Sequence, residues 1–313
     1  MSERTPLLMT QQGWKINSVQ AWLDPVHPVH TAIISHAHGD HAVAGHRRVY
    51  CTKDTARLLT VRYRKFAWEI ITPEWEEPFI VDETEFRFYP AGHMLGAAQV
   101  YWESQGEKIV YTGDFQPAAN PTCNPFKLVQ CDTLITETTF AHPGKQHPDP
   151  AAIITEQLQP RDVNYVIGTY VLGKAQRVNN LISTIQPSLQ VMLHPKIIPF
   201  HHAYLSAGFS PGEWIPFQRQ QFKRNRNIVY LVPPQVLQQL PILPYTQRGF
   251  ASGWLERQEG LDLLLPISDH ADWYDLVNTI EKSGASRVYT LHGEGVHIQQ
   301  HFEGKIPVLP LET

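Results

Sequence analysis

Four side chains able to bind a metal fall within Ser35-His36-Ala37-His38-Gly39-Asp40-His41. The apolar run Ala32-Ile33-Ile34 ahead of them reads as a short buried strand that ends in this polar loop. In extended backbone His36 and His38 project to one side. Gly39 permits the turn that brings Asp40 and His41 into the same group. Crowded imidazoles and a carboxylate are costly unless a cation binds them, and these donor types suit zinc, manganese or iron. The pairs His36/His38 and Asp40/His41 read as half-sites for two adjacent metals. Chance is the competing reading, because the chain has 16 His in 313 residues. Rejecting it requires partners further along.

Those partners stand at the ends of later strands. Phe79–Tyr89 alternates apolar and polar residues like a half-buried strand and leads to Pro90-Ala91-Gly92-His93. Ala98–Trp102 and Lys108–Tyr111 read as a hairpin around Gln105-Gly106 that ends at Asp114. Leu134–Thr136 ends at Glu137, and Arg287–Leu291 ends at His292. Asp262–Ile267 precedes Ser268-Asp269-His270-Ala271-Asp272, where Ser268 or Asp269 caps a helix that Gly284 stops. A polar residue at one strand end means little, but several suggest one sheet edge lined with ligands.

Placed together, His36, His38, His93 and Asp114 surround one metal. Asp40, His41 and His292 surround a second, with Asp114 bridging. Nitrogen and oxygen ligands without thiolate fit a hydrolytic centre better than a structural zinc site. Two metals about 3.5–4 Å apart would lower the pKa of a bridging water toward about 7, supplying hydroxide as nucleophile. They would also offset charge on a phosphoryl oxygen. His270 is the candidate general acid for the leaving alkoxide, and Glu137 would orient it and favour its protonated form. Asp40 joins these two as a residue on which hydrolysis depends.

Other stretches leave two readings open. Pro6–Asp24 reads as two short strands around Gln12-Gly13, and Asp24 either orients a ligand histidine from behind or forms an Asp-Pro turn. Thr52–Tyr63 reads as a helix with Thr52 or Asp54 near its cap. It leads into Arg62, Arg64 and Lys65, which are solvated charge or a surface that meets phosphate. After Phe140 helices and strands alternate, implying a small parallel α/β unit. The division expected is 1–144, an inserted unit at 145–250, and a completing part at 251–313. In the insert Arg219, Lys223, Arg224 and Arg226 form the densest basic stretch, interleaved with Phe217 and Phe222. They are solvated loop charge or a grip on a nucleic-acid strand through phosphate and stacking contacts. Lys174 and Arg177 follow Gly173 at a helix start, where they hold a phosphate or simply face solvent.

Composition narrows the class. The chain has 25 Pro, 19 Gly and a formal net charge of -4, so a nucleic-acid partner would be held by local basic patches and not by the whole-molecule field. Cys51, Cys123 and Cys131 are odd in number and lack Cys-x-x-Cys spacing, which argues for a reducing, cytoplasmic setting. Cys51 reads as a small buried residue before it reads as a ligand. Met1–Thr10 lacks a basic-then-apolar signal pattern, and no apolar run reaches the roughly eighteen residues of a membrane span.

His36-Ala37-His38-Gly39-Asp40-His41, followed by His93, Asp114 and His292, resembles the metallo-β-lactamase superfamily. That likeness implies an αββα sandwich with two metals at one edge. Glu137-Thr138-Thr139-Phe140, Leu172-Gly173-Lys174-Ala175-Gln176, Ser268-Asp269-His270-Ala271-Asp272 and Leu291-His292-Gly293-Glu294 resemble the β-CASP nucleases of that superfamily. In those a small α/β cap that binds nucleic acid is inserted between the Glu and the later His motifs. Glu137, His270 and His292 match the three cap-associated motifs. Leu23-Asp24-Pro25-Val26 and Gly45-His46 narrow the likeness to bacterial ligase-associated DNA exonucleases. That likeness implies DNA as the substrate; the donor types suit two zinc ions, or manganese, and a cap would admit one strand more easily than a duplex, which points to single-stranded or frayed ends. The likeness also implies a repair setting alongside an ATP-dependent DNA ligase and a helicase. A His at position 292 is shared with RNA-acting members, so a ribonuclease is the alternative. A small-molecule metallohydrolase and a non-enzymatic scaffold are the two remaining readings.

Overall fold

The computed structural model describes residues 5–254, 260–293 and 295–311, so Glu294 of the last motif lies outside the described residues. The chain divides into two compact units. One combines the residues up to Gln146 with those from His270 onward, and the other is His147–Asp269.

The first unit begins with a six-stranded sheet whose strands lie in chain order. They are β1 (Leu7–Thr10), β2 (Gly13–Ile16), β3 (Trp22–Leu23), β4 (Thr31–Ile33), β5 (His46–Tyr50) and β6 (Ala67–Ile71). Helix α1 (Lys53–Arg62) joins the last two; Thr52 caps it by accepting from Thr55 N at 3.1 Å. A second sheet opens with β7 (Phe79–Val81), β8 (Thr84–Pro90), β9 (Ala98–Ser104), β10 (Glu107–Tyr111) and β11 (Thr133–Glu137). The alternation from Phe79 to Tyr89 is therefore two strands and not one. Asp82 and Glu83 turn the chain between them at φ 45° and 68°, a left-handed pair suited to a two-residue hairpin.

The second unit follows with α2 (Pro150–Gln157), β12 (Asn164–Gly168), α3 (Lys174–Ile185), β13 (Gln190–Leu193) and α4 (Ile198–Ser206). It continues through β14 (Ile215–Pro216), α5 (Arg219–Arg224), β15 (Ile228–Val232), α6 (Pro234–Gln239), β16 (Thr246–Ala251) and β17 (Leu263–Leu265). Its sheet has the order β14-β13-β15-β12-β16-β17, with every pairing parallel. Helix connections between parallel strands explain why its strands read as continuous apolar runs. The insert was expected to end at residue 250, but it reaches Asp269 because β17 pairs with β16 at this sheet's edge.

The chain then completes the first unit with α7 (Trp273–Ser283), β18 (Arg287–Leu291), α8 (Val296–Phe302) and β19 (Val308–Pro310). The second sheet has the order β19-β18-β11-β10-β9-β8-β7. Ile16, Leu23, Ile33 and Tyr50 of the first sheet form one buried core with Phe86, Phe88, Trp102, Ile109, Ile135 and Tyr289 of the second. The unit is thus a two-sheet sandwich with mixed α/β composition. Asp272 caps α7 by accepting from Asp275 N at 3.0 Å, so the helix starts after His270 and not at Ser268 or Asp269. Cys51 is fully buried, and burial pushes its thiol up to about 12, as expected of a packing residue. Among the described residues no helix is long and apolar enough to cross a membrane.

One buried group in the second unit carries a pH expectation. His201 on α4 is fully buried, and burial lowers its pKa to about 3. Gln176 Oε1 accepts from Gly173 N at 2.7 Å, which fixes the amide so that Nε2 faces His201 Nδ1 at 3.0 Å. A proton on Nδ1 would set donor against donor. Between pH 6.5 and about 3 the unfolded chain therefore binds a proton that the folded chain refuses. Stability falls as pH drops through that window, by up to about 1.4 kcal/mol per pH unit for this one group. Thermal melts of wild type and His201→Gln from pH 7.5 to 4.5 check this; the variant should lose stability less steeply, and parallel slopes would contradict it.

Candidate metal centre

Strand direction decides which residues meet. β8 and β10 both run antiparallel to β9, and β10, β11 and β18 are mutually parallel neighbours. The C-terminal ends of β8, β10, β11 and β18 therefore share one edge. His93, Asp114, Glu137 and His292 all follow or close these strands. β4 of the first sheet brings the loop from Ser35 to His41 to the same place, since Ala98 N bonds Ser35 O at 2.9 Å. Gly113 makes the approach tight: at φ 55°, an added Cβ would stand 2.9 Å from Ser35 Cβ.

Single donor atoms of His36, His38, His93 and Asp114 lie within 4.8 Å of one another. His38 Nδ1 is 3.1 Å from both His36 Nε2 and His93 Nε2. Asp114 Oδ2 is 3.4 Å from His36 Nε2 and 3.8 Å from His93 Nε2. His41 Nε2 also lies 3.4 Å from Asp114 Oδ2, so this carboxylate stands between the His36 group and His41. His36, His41, His93 and Asp114 are all buried. Convergent imidazole nitrogens around one carboxylate fit a divalent cation.

The surrounding groups fix the rings. Asp24 is buried and accepts from Ser35 N at 2.7 Å, Ser35 Oγ at 2.5 Å and Tyr111 Oη at 2.9 Å. His41 Nδ1 lies 2.9 Å from the same carboxylate, which orients the ring so that Nε2 faces Asp114. Ser35 Oγ lies 3.0 Å from His36 Nδ1 and orients that ring likewise. Of its two sequence readings, Asp24 thus takes the orienting one. Tyr111 escaped notice because a tyrosine inside an apolar strand carries no sign of this role.

The carboxylates of Asp114 and Asp24 favour positive charge at this site. Burial disfavours charge on His41, but Asp114 and Asp24 outweigh it and raise its pKa to about 10. Asp114 is likewise buried, yet His41, His270 and His36 hold its carboxyl well below the usual range. Burial and then His41 push His36 well down, so it stays neutral.

Asp40 and His292 stand further out. The Asp40 side chain is 80 % exposed, with Oδ2 3.9 Å from His41 Nε2. His292 is exposed at φ 51°, with its ring 5.2 Å from that of His41. The tight group around His41 is instead His36 and Asp24. Gly39 is absent from the left-handed positions, so the turn there does not need a glycine's backbone freedom; Arg62 Nη1 lies 2.9 Å from where its Cβ would stand, at the end of a side chain free to move.

Glu137 and His270 form a second pair beside Asp114. His270 Nδ1 is 2.9 Å from Glu137 Oε2 and 3.1 Å from Oε1. Phe115 N and Thr139 Oγ1 also bond this buried carboxylate, at 2.9 Å and 2.5 Å, so it cannot swing away. Gln116 Nε2 donates to His270 O at 2.7 Å and Ala271 N to Phe115 O at 2.7 Å, which anchor the histidine's backbone.

The basic candidates of the second unit divide. Lys174 and Arg177, expected on phosphate or in solvent, are buried and pair with Asp269 at 2.9 Å and 3.0 Å. Lys174 also donates to Ile267 O at 2.5 Å and Arg177 to Ser268 O. Their charges hold the segment Ile267–Asp269, because buried cations need paired acceptors. Arg219, Lys223 and Arg224 are exposed on or at the end of α5, and Arg226 is half-buried beside Tyr245 at 4.7 Å. Phe217 and Phe222 do not interleave with them at the surface. They pack on Tyr230 in a core, with ring centroids 4.0 Å and 6.0 Å away.

The orienting carboxylate carries its own test. Asp24→Ala should weaken metal affinity about 10- to 100-fold, as losses of such supporting groups do. Competition against a chromophoric chelator measures it. Affinity equal to wild type would show that Asp24 has only a turn-forming role.

Residues 8–166 match the family profile described as the β-lactamase superfamily domain. Among curated proteins the chain is 29% identical over 310 residues to a "Probable DNA ligase" of Opitutus terrae, covering 94% of this chain and 29% of that protein. It is 31% identical over 183 residues to an "RNase J-like protein" of Methanocaldococcus jannaschii, covering 50% of this chain and 44% of the other. It is 29% identical over 164 residues to "5' exonuclease Apollo" of Gallus gallus, covering 47% and 35%. The chain thus spans less than half the length of these relatives. Among solved structures, a protein of unknown function from Enterococcus faecalis matches with TM-score 0.58 at 15% identity, covering 90% of this chain and 79% of that one.

Proposed function

The chain belongs to the metallo-β-lactamase superfamily, and from that premise we propose that it is a metal-dependent phosphodiesterase acting on nucleic acid. The finer reading is a DNA exonuclease at single-stranded or frayed ends, serving DNA repair in the cytoplasm. The convergence of His36, His38, His93, His41 and Asp114 beside the His270–Glu137 pair carries it. Names of nucleases among the relatives support the substrate class. The match that runs through nearly the whole chain, to a protein named as a DNA ligase, favours DNA and a setting beside a ligase, with a helicase as a further functional partner.

His36, His38, His93 and Asp114 would hold one divalent ion, zinc or manganese. Asp114, His41, Asp40 and His292 would hold a second after Asp40 and His292 turn inward. Bound there, the ions supply an acidified water and a Lewis acid for the phosphoryl oxygen. His270 donates the proton that the leaving alkoxide requires. Glu137, fixed by Phe115 N and Thr139, keeps that imidazole oriented and favours its charged form. The second unit serves as a β-CASP cap, with Arg219, Lys223, Arg224 and Arg226 on phosphates.

A ribonuclease is the second reading, favoured by the names "RNase J-like protein" and "Endoribonuclease YSH1" among the relatives. Matched single-stranded DNA, RNA and blunt duplex, each labelled at either end, separate the readings. DNA shortened from one end with RNA spared is expected. Preferential RNA cleavage would move the protein to the ribonuclease reading.

A further inference from the structure

The sheet-edge surface of the first unit holds a second aromatic and basic feature, away from the buried ligands. β6 is the last strand of its sheet, so one of its edges is unpaired. Trp68 on this strand is 68% exposed, which is unusual for the largest apolar side chain. Lys65 Nζ sits 3.3 Å from its ring centroid and Arg47 Cζ 6.0 Å. Arg47, Arg64 and Lys65 are exposed and Arg62 is half-buried. Among the described residues none of these four cations has a carboxylate within ion-pair distance, whereas neighbouring Arg48 is neutralised by Glu69 at 2.7 Å.

The patch runs back to the metal loop. Arg62 Nη1 lies against Gly39, between His38 and Asp40. Tyr63 Oη donates to Ala42 O at 2.8 Å and fixes the segment just past α1 to the residue that follows His41. An unpaired row of cations beginning at the loop and ending at an exposed indole has the chemistry of a single-strand track: phosphates on the cations, a base on the ring. Such a local patch is what a chain of net charge -4 needs to hold a polyanion.

We propose that Arg62, Arg64, Lys65, Arg47 and Trp68 bind the single-stranded part of a nucleic-acid substrate as it leads to the metal loop. This rests on the nuclease reading above and names its strand path. Lys65 leaves the indole face for a phosphate when a base takes its place, so binding exchanges one cation contact for another.

The test is fluorescence anisotropy on the full, metal-loaded chain with a single-stranded phosphorothioate oligonucleotide of about twenty residues, which resists cleavage. Trp68→Ala should raise Kd at least about fivefold, the lower end of what one base–aromatic stack contributes. Trp68→Phe, which keeps a ring, should restore most of it. Arg64→Gln with Lys65→Gln should lower the salt dependence by about one phosphate contact each. Affinity and salt slope equal to wild type in all three variants would overturn the proposal. So would a change of oligomeric state in Trp68→Ala without a change of Kd, since the indole would then meet another copy of the chain. Failure of the nuclease reading looks different: the strand binds through this patch, yet a normal phosphodiester strand is not cut.

Discussion

Asp114→Asn should abolish hydrolysis, lowering kcat/KM by more than about a thousandfold, the equivalent of losing several kcal/mol of transition-state stabilisation. No other carboxylate stands within 3.4 Å of both His36 and His41 among the described residues. An amide keeps the shape but removes the charge that offsets the cations. Asp114 is also the carboxylate that does most to raise His41 to about 10, so its loss lowers the positive charge the site can hold. The expected metal content falls together with activity, read by elemental analysis of the purified variant. Full metal content with full activity would show that Asp114 is not a ligand the reaction needs.

His270→Ala should behave differently. It should keep its metal and slow the chemical step about 10²- to 10⁴-fold, the usual worth of a positioned general acid. The leaving group separates this role from ligation. A substrate with an acidic phenol as leaving group needs no proton, so the variant should recover most of its rate on bis(p-nitrophenyl) phosphate and not on an oligonucleotide. Glu137→Gln should resemble it in kind, since the amide cannot favour an imidazolium as the carboxylate does across 2.9 Å. Metal loss in His270→Ala would instead make His270 a ligand, which its place with Asp114 and Glu137 also allows.

Much of this site was legible because its residues close apolar strands. His93, Asp114, Glu137 and His292 each follow a run that alternation or apolarity marks as a strand, and parallel pairing of β10, β11 and β18 puts their ends together. Asp24 stayed ambiguous because an Asp-Pro pair makes turns in most settings, and one of its partners, Tyr111, lies 87 residues further on. Lys174 and Arg177 misled for a related reason. A helix-start Gly-Lys pattern does not show that Asp269 waits on a neighbouring strand end to bury both charges.

Elsewhere the pattern was hidden by residue choice. The turn at Asp82-Glu83 lacks the Asn or Gly that ordinarily signals a left-handed pair, so β7 and β8 read as one strand. α4 went unseen because Pro199, His201 and His202 break its apolar periodicity, although proline is at home in a helix's first turn. β16 and β17 are short, and only their pairing into the second unit's sheet shows where that unit ends.

The most direct measurement is metal stoichiometry joined to activity on one preparation. Purified protein is stripped with chelator, then titrated with zinc or manganese while cleavage of a labelled single-stranded oligonucleotide is followed. Activity should vanish on stripping and return in step with binding of two ions per chain. Cleavage by the stripped protein, or full occupancy of the site with no hydrolysis of any phosphodiester, would contradict a metal-dependent phosphodiesterase.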